Sequence, residues 1–388
     1  MGKYIWEELK RVIIKKKISI IVVLVIITAF GLINVLKTKT LEVQLQQDNI
    51  LLYTQKSIRD KAETTEFQKA AFSKDIVGTE KQIADIEQQL NTINNYDRTK
   101  LDEQIKSLEK ENNTKKNESK ISQLKYEKEH NIEKNELIPK GIYASLDLLV
   151  YIPALYLLIL IVFLSDILAG EYTPNTIKLL ITKPISRKII IISKFIVSII
   201  LGAGTIVISS LILVVEAGIH LGFSDYRMPF EVGAKYVLDK SLPLTSLTSQ
   251  MMYVSGSRTI IPVWISIIEL VLITIMISIS IISIIIFIST VCKNSLISAL
   301  TNFILLGGTT IWYFVVFMGN NLLSAKYGAF LKFSPIPYVI NSFWVLTGDI
   351  SVLLTSSINM FFVSMVCLGW TLIMMSLSTY IFAKRDFD

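Results

Sequence analysis

The sequence predicts an all-α membrane protein with six transmembrane helices. An extracytoplasmic helical hairpin of coiled-coil type is expected between the first and second spans. Three observations carry this expectation. Apolar residues are 52% of the 388, mean hydropathy is +0.53, and the apolar residues fall in blocks as long as the ~20 residues that cross a hydrocarbon core of ~30 Å. Between the first two blocks, residues 37–145 turn polar and helix-favouring. Basic residues gather at alternate block ends, as a cytosolic face requires.

In chain order, residues 1–17 read as a basic amphipathic helix. Ile5, Leu9, Val12 and Ile13 recur at helical spacing, with Lys10, Arg11 and Lys15 on the other side, so the helix can lie in the membrane interface on the cytosolic face. No small-residue cleavage site follows the next apolar run, so no signal peptide is expected. Trp6 stands where N-myristoylation needs Ser or Thr. The first span is residues 18–36, and the six basic residues before it place the amino terminus in the cytosol.

Residues 37–145 are then extracytoplasmic. Ile76, Ile83 and Leu90 repeat every seven residues with Ile86 and Ile93 between them, a heptad seam. Thr99 and Asp102 can form a capping box that starts a second helix with Leu101, Ile105 and Leu108 inward. Folding back at Asn94–Arg98 gives two arms of about 60–70 Å at 1.5 Å per residue. Gly78-Thr79 and the polar run 111–119 interrupt the arms, and a disordered insert is the alternative for such a composition.

The second span is residues 146–164, kinked at Pro153. The third is 188–215, with Gly202 and Gly204 allowing close helix approach. Residues 216–260 form an outer loop expected to carry short surface helices. Span four is 261–288, and span five is 295–317 after a tight turn at Cys292-Lys293-Asn294. Residues 319–356, broken by Pro335 and Pro337, read as an outer re-entrant or interfacial segment. Span six is 357–382 and ends in the basic Lys384-Arg385. Both termini are thereby expected in the cytoplasm of a cell membrane. The Ile, Lys and Asn usage points to a bacterial source.

The loop 165–187 holds most of the charge near spans two and three. Thr173 can cap a short helix with Pro174 at its first position, and Ile177, Leu179, Leu180 and Ile181 give it an apolar side. Lys183-Pro184 ends it, and Ser186 can cap the helix that enters the membrane. Such a helix at the cytosolic mouth of two spans suits docking another protein.

The pattern E-Y-x-x-x-T-I-K-x-L-L-x-x-P-I-S-R-x-x-I-x-x-S-K at Glu171–Lys194 resembles the first cytoplasmic loop of the type-2 ABC exporter permeases. The matching positions are Glu171, Tyr172, Thr176, Leu179, Leu180, Pro184, Ser186, Arg187 and Lys194. The family's usual glycine before the threonine is Asn175 here. The terminal F-A-K-R-D is also similar. The resemblance implies that this loop couples to a separate ATPase through Glu171, Tyr172, Thr176, Ile177, Lys178, Leu180, Pro184 and Arg187. It further implies two copies of that cytosolic ABC ATPase subunit and a second permease subunit, as homodimer or heterodimer.

The chemistry missing from the chain agrees with a subunit of that kind. No G-x-x-x-x-G-K-[ST] occurs, so no P-loop is present to cradle ATP. His130 and His220 are isolated, and the two cysteines, Cys292 and Cys367, form no ligand pattern. No metal, cofactor or catalytic constellation is expected. The net charge of +7 serves membrane topology and not nucleic acid. Glu269, inside span four, is costly unless paired or wetted, and reads equally as a translocation-path residue or a buried structural group.

The function expected is a permease subunit of an ABC exporter in the lipid bilayer. Its substrate class would be an amphipathic or antimicrobial peptide or a lipid-like compound. A membrane-anchored coiled-coil tether or receptor is the alternative, disfavoured because a tether needs one or two spans and no basic cytosolic helix. A membrane-embedded enzyme lacks its constellation.

Overall fold

The computed structural model describes residues 2–37, 41–60, 66–110, 114–172, 176–177, 185–242, 244–245, 249–318 and 320–385. The first helices in chain order are α1 (Gly2–Lys37), α2 (Leu41–Arg59), α3 (Glu66–Asn94), α4 (Leu101–Lys110), α5 (Thr114–Glu129), α6 (Gly141–Tyr151), α7 (Pro153–Leu164) and α8 (Arg187–Leu221). Strands β1 (Pro229–Val232), β2 (Tyr236–Leu238), β3 (Met251–Tyr253) and β4 (Thr259–Pro262) come next. They are followed by α9 (Val263–Val291), α10 (Ser295–Phe317), α11 (Asn321–Leu331), α12 (Ile336–Ile340), α13 (Ser342–Thr347), α14 (Ile350–Leu353) and α15 (Met360–Lys384). Contacts divide the chain into two units, one of Met1–Gly31, Ser145–Val215 and Phe230–Asp388, the other of Leu32–Ala144 and Glu216–Pro229.

In the first unit, five stretches among the described residues are helical, long and apolar enough to cross a bilayer. They are Pro153–Glu171, Arg187–Leu221, Val263–Val291, Ser295–Phe317 and Met360–Lys384. Within α1, Gly2–Lys16 and Ser19–Val35 meet at 66° and together make a candidate sixth. The second half of α1 is the apolar one, and apart from Lys37 at its last position the basic residues lie in the first half and at the bend.

Helix α9 packs most extensively against α15 and also meets α7 and α13. Ile267, Leu270, Ile273, Ile277, Ile281, Ile285 and Ile288 form its buried stripe, at the three- and four-residue steps of one helix face. Fully buried Ser266, Ser280 and Ser283 keep that face narrow, which lets neighbouring backbones approach. Their hydroxyls donate to carbonyls of their own helix, as Ser266 does to Val263 at 2.7 Å, and so need no outside partner. Helix α10 contains two wide π turns, Phe303–Gly307 and Tyr313–Phe317, around a single α turn.

The segment 216–260 differs from the short helices expected there. Helix α8 runs on to Leu221, and the rest builds two small ribbons, β1 with β4 and β2 with β3. The β2–β3 pair is antiparallel with Tyr236 opposite Tyr253, their rings edge-on at 5.9 Å. Aromatic and β-branched residues such as Val232, Val237, Ile260 and Ile261 suit strands, and Gly233 and Gly256 supply the positive-φ turns. The ribbons are fastened to the proline-broken stretch. Ala234 donates to the Thr347 carbonyl at 2.7 Å, Arg258 pairs with Glu231 at 2.7 Å and with Asp349 at 3.6 Å, and the Tyr236 hydroxyl donates to Asp349. Gly348, at φ +88, lies directly on the Ala234 backbone, where a Cβ has no room.

In the second unit, α2 packs on α3 and α4 packs on α5. On α3 the inward positions are Ile76, Thr79 and Ile83, with Ile86 and Leu90 half-buried, a 3-4-3-4 spacing. Thr79 donates to Gln55 at 3.1 Å, and Lys56 pairs with Glu80 at 2.8 Å. Helices α4 and α5 enclose Leu101, Ile105, Ile121 and Leu124, edged by Tyr96 and Leu108. Lys125 pairs with Glu109 at 2.8 Å and Lys128 with Asp102.

The described helices are therefore paired locally, in place of two long arms reversing once at Asn94–Arg98. A heptad stripe says which face is buried but not against what, and near neighbours close with the smaller loop entropy. The helix after the Asn95–Asp97 turn is capped by Asp97, which accepts from the Thr99 N–H at 3.0 Å, and not by a Thr99–Asp102 box. Asp225, fully buried, accepts from the N–H groups of Lys140 (2.7 Å), Ile142 (3.2 Å) and Tyr143 (2.9 Å) and so caps α6.

Candidate functional site

Helix α7 ends at Leu164, and the chain turns through 165–168 into a single tight turn, Ala169–Glu171. Its backbone groups would be orphaned in an apolar setting, and hydroxyls from two other helices satisfy them. Ser289 of α9 accepts from the N–H groups of Leu168 at 3.1 Å and Ala169 at 3.0 Å. Ser298 of α10 donates to the Ser165 carbonyl. The exit from α7 is thereby tied to the α9–α10 turn.

Glu171, the first of the expected coupling residues, is buried in a ring of charges. Lys194 of α8, 1% exposed, donates to Glu8 at 2.8 Å, to Glu171 at 3.1 Å and to the Ile167 carbonyl at 2.8 Å. Those three acceptors use all three ammonium protons. Arg11 of α1 reaches Glu8 at 2.7 Å and also donates to Glu171. The four side chains alternate in sign around the ring and sum to zero. Thr176 donates to the Glu171 carboxylate at 2.7 Å. Beside the ring, Lys16 and Lys15 both approach Asp166, and a cavity of about 240 Å³ opens among Arg11, Lys15, Asp166, Gly170 and Thr176. Burying Glu8, Glu171 and Lys194 is tolerable only because each is paired, and taking one partner away from such a buried charge typically costs about 3–5 kcal/mol.

A second polar cluster holds the helix ends. Arg187 donates to the carbonyls of Ala383 (3.1 Å) and Arg385 (2.9 Å) at the end of α15. Arg385 donates to Thr290 and Val291 at the end of α9 and lies 5.2 Å from the Tyr172 ring centre. Each arginine thus satisfies terminal carbonyls that the helices cannot satisfy themselves.

Of the residues expected to couple, Glu171, Tyr172, Thr176 and Arg187 fall in these two clusters, and Ile177 is buried. Lys178, Leu180 and Pro184 lie outside the described residues, as does most of the expected coupling helix. Glu269 is elsewhere. It is half-buried near the start of α9, about 30 Å along the helix from Ser289 at 1.5 Å per residue. Glu8, Arg11, Asp166, Ser289, Ser298 and Arg385 were not expected to contribute. Lys194 carried a readable signal, a lysine inside the apolar run I-I-I-I-S-K-F-I-V. Glu8 and Arg11 carried none, since a polar face on an interfacial helix reads as solvated.

These features define a multi-pass membrane protein whose charged side chains collect where several spans end. The family model described as ABC-2 family transporter protein matches residues 4–387, and the chain belongs to that family. It is thus an ABC transporter permease, a membrane component without an ATPase site of its own. No curated protein matches it.

Proposed function

We propose that this chain is the permease subunit of an exporter driven by ATP hydrolysed on a separate cytosolic ABC subunit. Two ATPases would serve a pair of permeases. Loop 165–187 is the coupling element, and the second unit with the outer ribbons faces the extracytoplasmic side. An amphipathic peptide or a lipid-like compound is the substrate class.

The observation carrying this reading is the ring of Glu8, Arg11, Glu171 and Lys194. It joins the first turns of the coupling loop to the interfacial helix and to α8, so that a push on the loop is delivered to two other helices. Lys10, Arg11, Lys15, Lys16, Lys188, Lys293, Lys384 and Arg385 cluster around that end, which fits a cytosolic face. A tether would have no use for such a device.

The test is co-purification with an ABC ATPase encoded beside this gene, together with ATPase and transport assays of the reconstituted complex. Leu180→Ala should weaken retention of the ATPase, because truncating a central anchor costs about 2 kcal/mol or more, while membrane insertion stays intact. Retention of the ATPase with normal transport would remove the coupling assignment.

A further inference from the structure

The second unit contains a groove of about 1120 Å³ between α3 and the α4–α5 pair. One wall is a helical face of α3 carrying Gln88, Asn91 and Thr92, continued by Asn95 in the turn after it, and the other includes Gln104 and Ser107 of α4 and Gln123 and Glu127 of α5. Tyr96, Leu124, Leu137 and Met228 give it apolar patches. The exposed charged lining residues are Asp85, Glu87 and Lys120, an excess of acid, with the carboxyl of Glu127 buried behind them. The excess is local, since residues 32–144 hold 19 basic and 19 acidic residues. Among the described residues, Asp85, Glu87 and Lys120 make no ion pair, although the neighbouring α4–α5 surface pairs its own charges.

Side-chain amides both donate and accept, so a row of them can pair with a peptide backbone in either direction. The lining from Ala84 to Asn95 runs about 16 Å at 1.5 Å per residue, the length of about five extended residues at 3.3 Å each. We infer that this groove binds an extended basic peptide segment, its backbone along the amides of α3 and its cationic side chains on Asp85 and Glu87. This site is independent of the coupling reading, because binding requires no ATPase.

The experiment uses the full chain purified in a neutral detergent without any ATPase. Fluorescence anisotropy follows fluorescein-labelled heptalysine, with labelled heptaglutamate as the opposite-charge probe. Heptalysine should bind and heptaglutamate should not. Asp85→Lys with Glu87→Lys should weaken heptalysine about tenfold or more, which is 1.4 kcal/mol. Gln88→Ala with Asn91→Ala should weaken it about threefold, the scale of a lost pair of exposed hydrogen bonds. Asp48→Lys with Asp75→Lys, the same charge change outside the groove, should leave affinity within about twofold. Absence of heptalysine binding would overturn the inference. So would an equal loss in the Asp48/Asp75 variant, which would mean diffuse charge attraction, or full affinity in the amide variant, which would mean that the α3 wall is not used.

Discussion

Lys194 shows how a single charge can organise a membrane-facing site. Its ammonium is fully enclosed, yet each proton has an acceptor, and the acceptors come from α1, from the α7 exit and from the start of the loop. Lys194→Met removes the cation and leaves Glu8 and Glu171 sharing Arg11 alone. The expected loss is about 3–5 kcal/mol, the usual cost of breaking a buried pair by removing one partner. Adding Glu8→Gln restores neutrality and should recover part of it. Thermal unfolding in detergent reads both. A single variant as stable as the parent would mean that the ring is not a buried network. At this scale the sequence was half legible. An intramembrane lysine announces a partner, but Glu8 and Arg11 sit among solvent-type residues, and their inward turn depends on what packs above them.

At the scale of elements, α4 and α5 make a pair whose closure carries a titration. Glu127 is 8% exposed, and burial pushes its carboxyl up to about 7, against a smaller opposing effect from the Tyr96 hydroxyl. Between the ordinary carboxylate range and about 7 the folded pair binds more protons than the unfolded chain. The contribution of Glu127 to stability is therefore fully present at low pH and is lost as pH rises through about 7. Unfolding of the full chain, followed by a fluorophore on the exposed face of α4 from pH 4.5 to 8, should show this decline, and Glu127→Gln should flatten it. An unchanged slope in the variant would assign the dependence to other groups. The heptad pattern made the inward faces of α3 and α4 legible, Ile76, Ile83, Leu101 and Ile105 included. It could not name their partners, because a stripe of Ile and Leu fits any other stripe. The π turns of α10 were not legible, since Phe303–Phe317 reads as a single apolar span and its Gly307-Gly308-Thr309-Thr310 centre does not by itself distinguish a π turn from an α turn.

For the molecule as a whole, hydropathy was the most legible feature, because a bilayer imposes a length and a composition that few other settings demand. The ribbons at 229–262 were missed because short strands between spans compete with loop and helix on weak local preferences. Orientation is open to a direct test with the native thiols. Cys292 is half-exposed in the turn between α9 and α10, and Cys367 is buried in α15. A membrane-impermeant maleimide should label the unmodified chain in inside-out vesicles and not in right-side-out ones, with Cys292→Ser abolishing the signal. Labelling from the outside alone would reverse the topology.

The ring of Glu8, Arg11, Glu171 and Lys194 also sets an order of events during biosynthesis. Its first and last members are 186 residues apart, a separation that takes about 10–40 s to translate at about 5–20 residues per second. Until α8 has emerged and entered the bilayer, Arg11 is the ring's one cation for the two carboxylates of Glu8 and Glu171. Docking of the amino-terminal helix is consequently a late step, completed only after a span encoded nearly two hundred codons downstream has delivered its lysine. A ribosome stalled before that codon holds a chain whose first spans can already be threaded but whose amino-terminal helix is still unlocked.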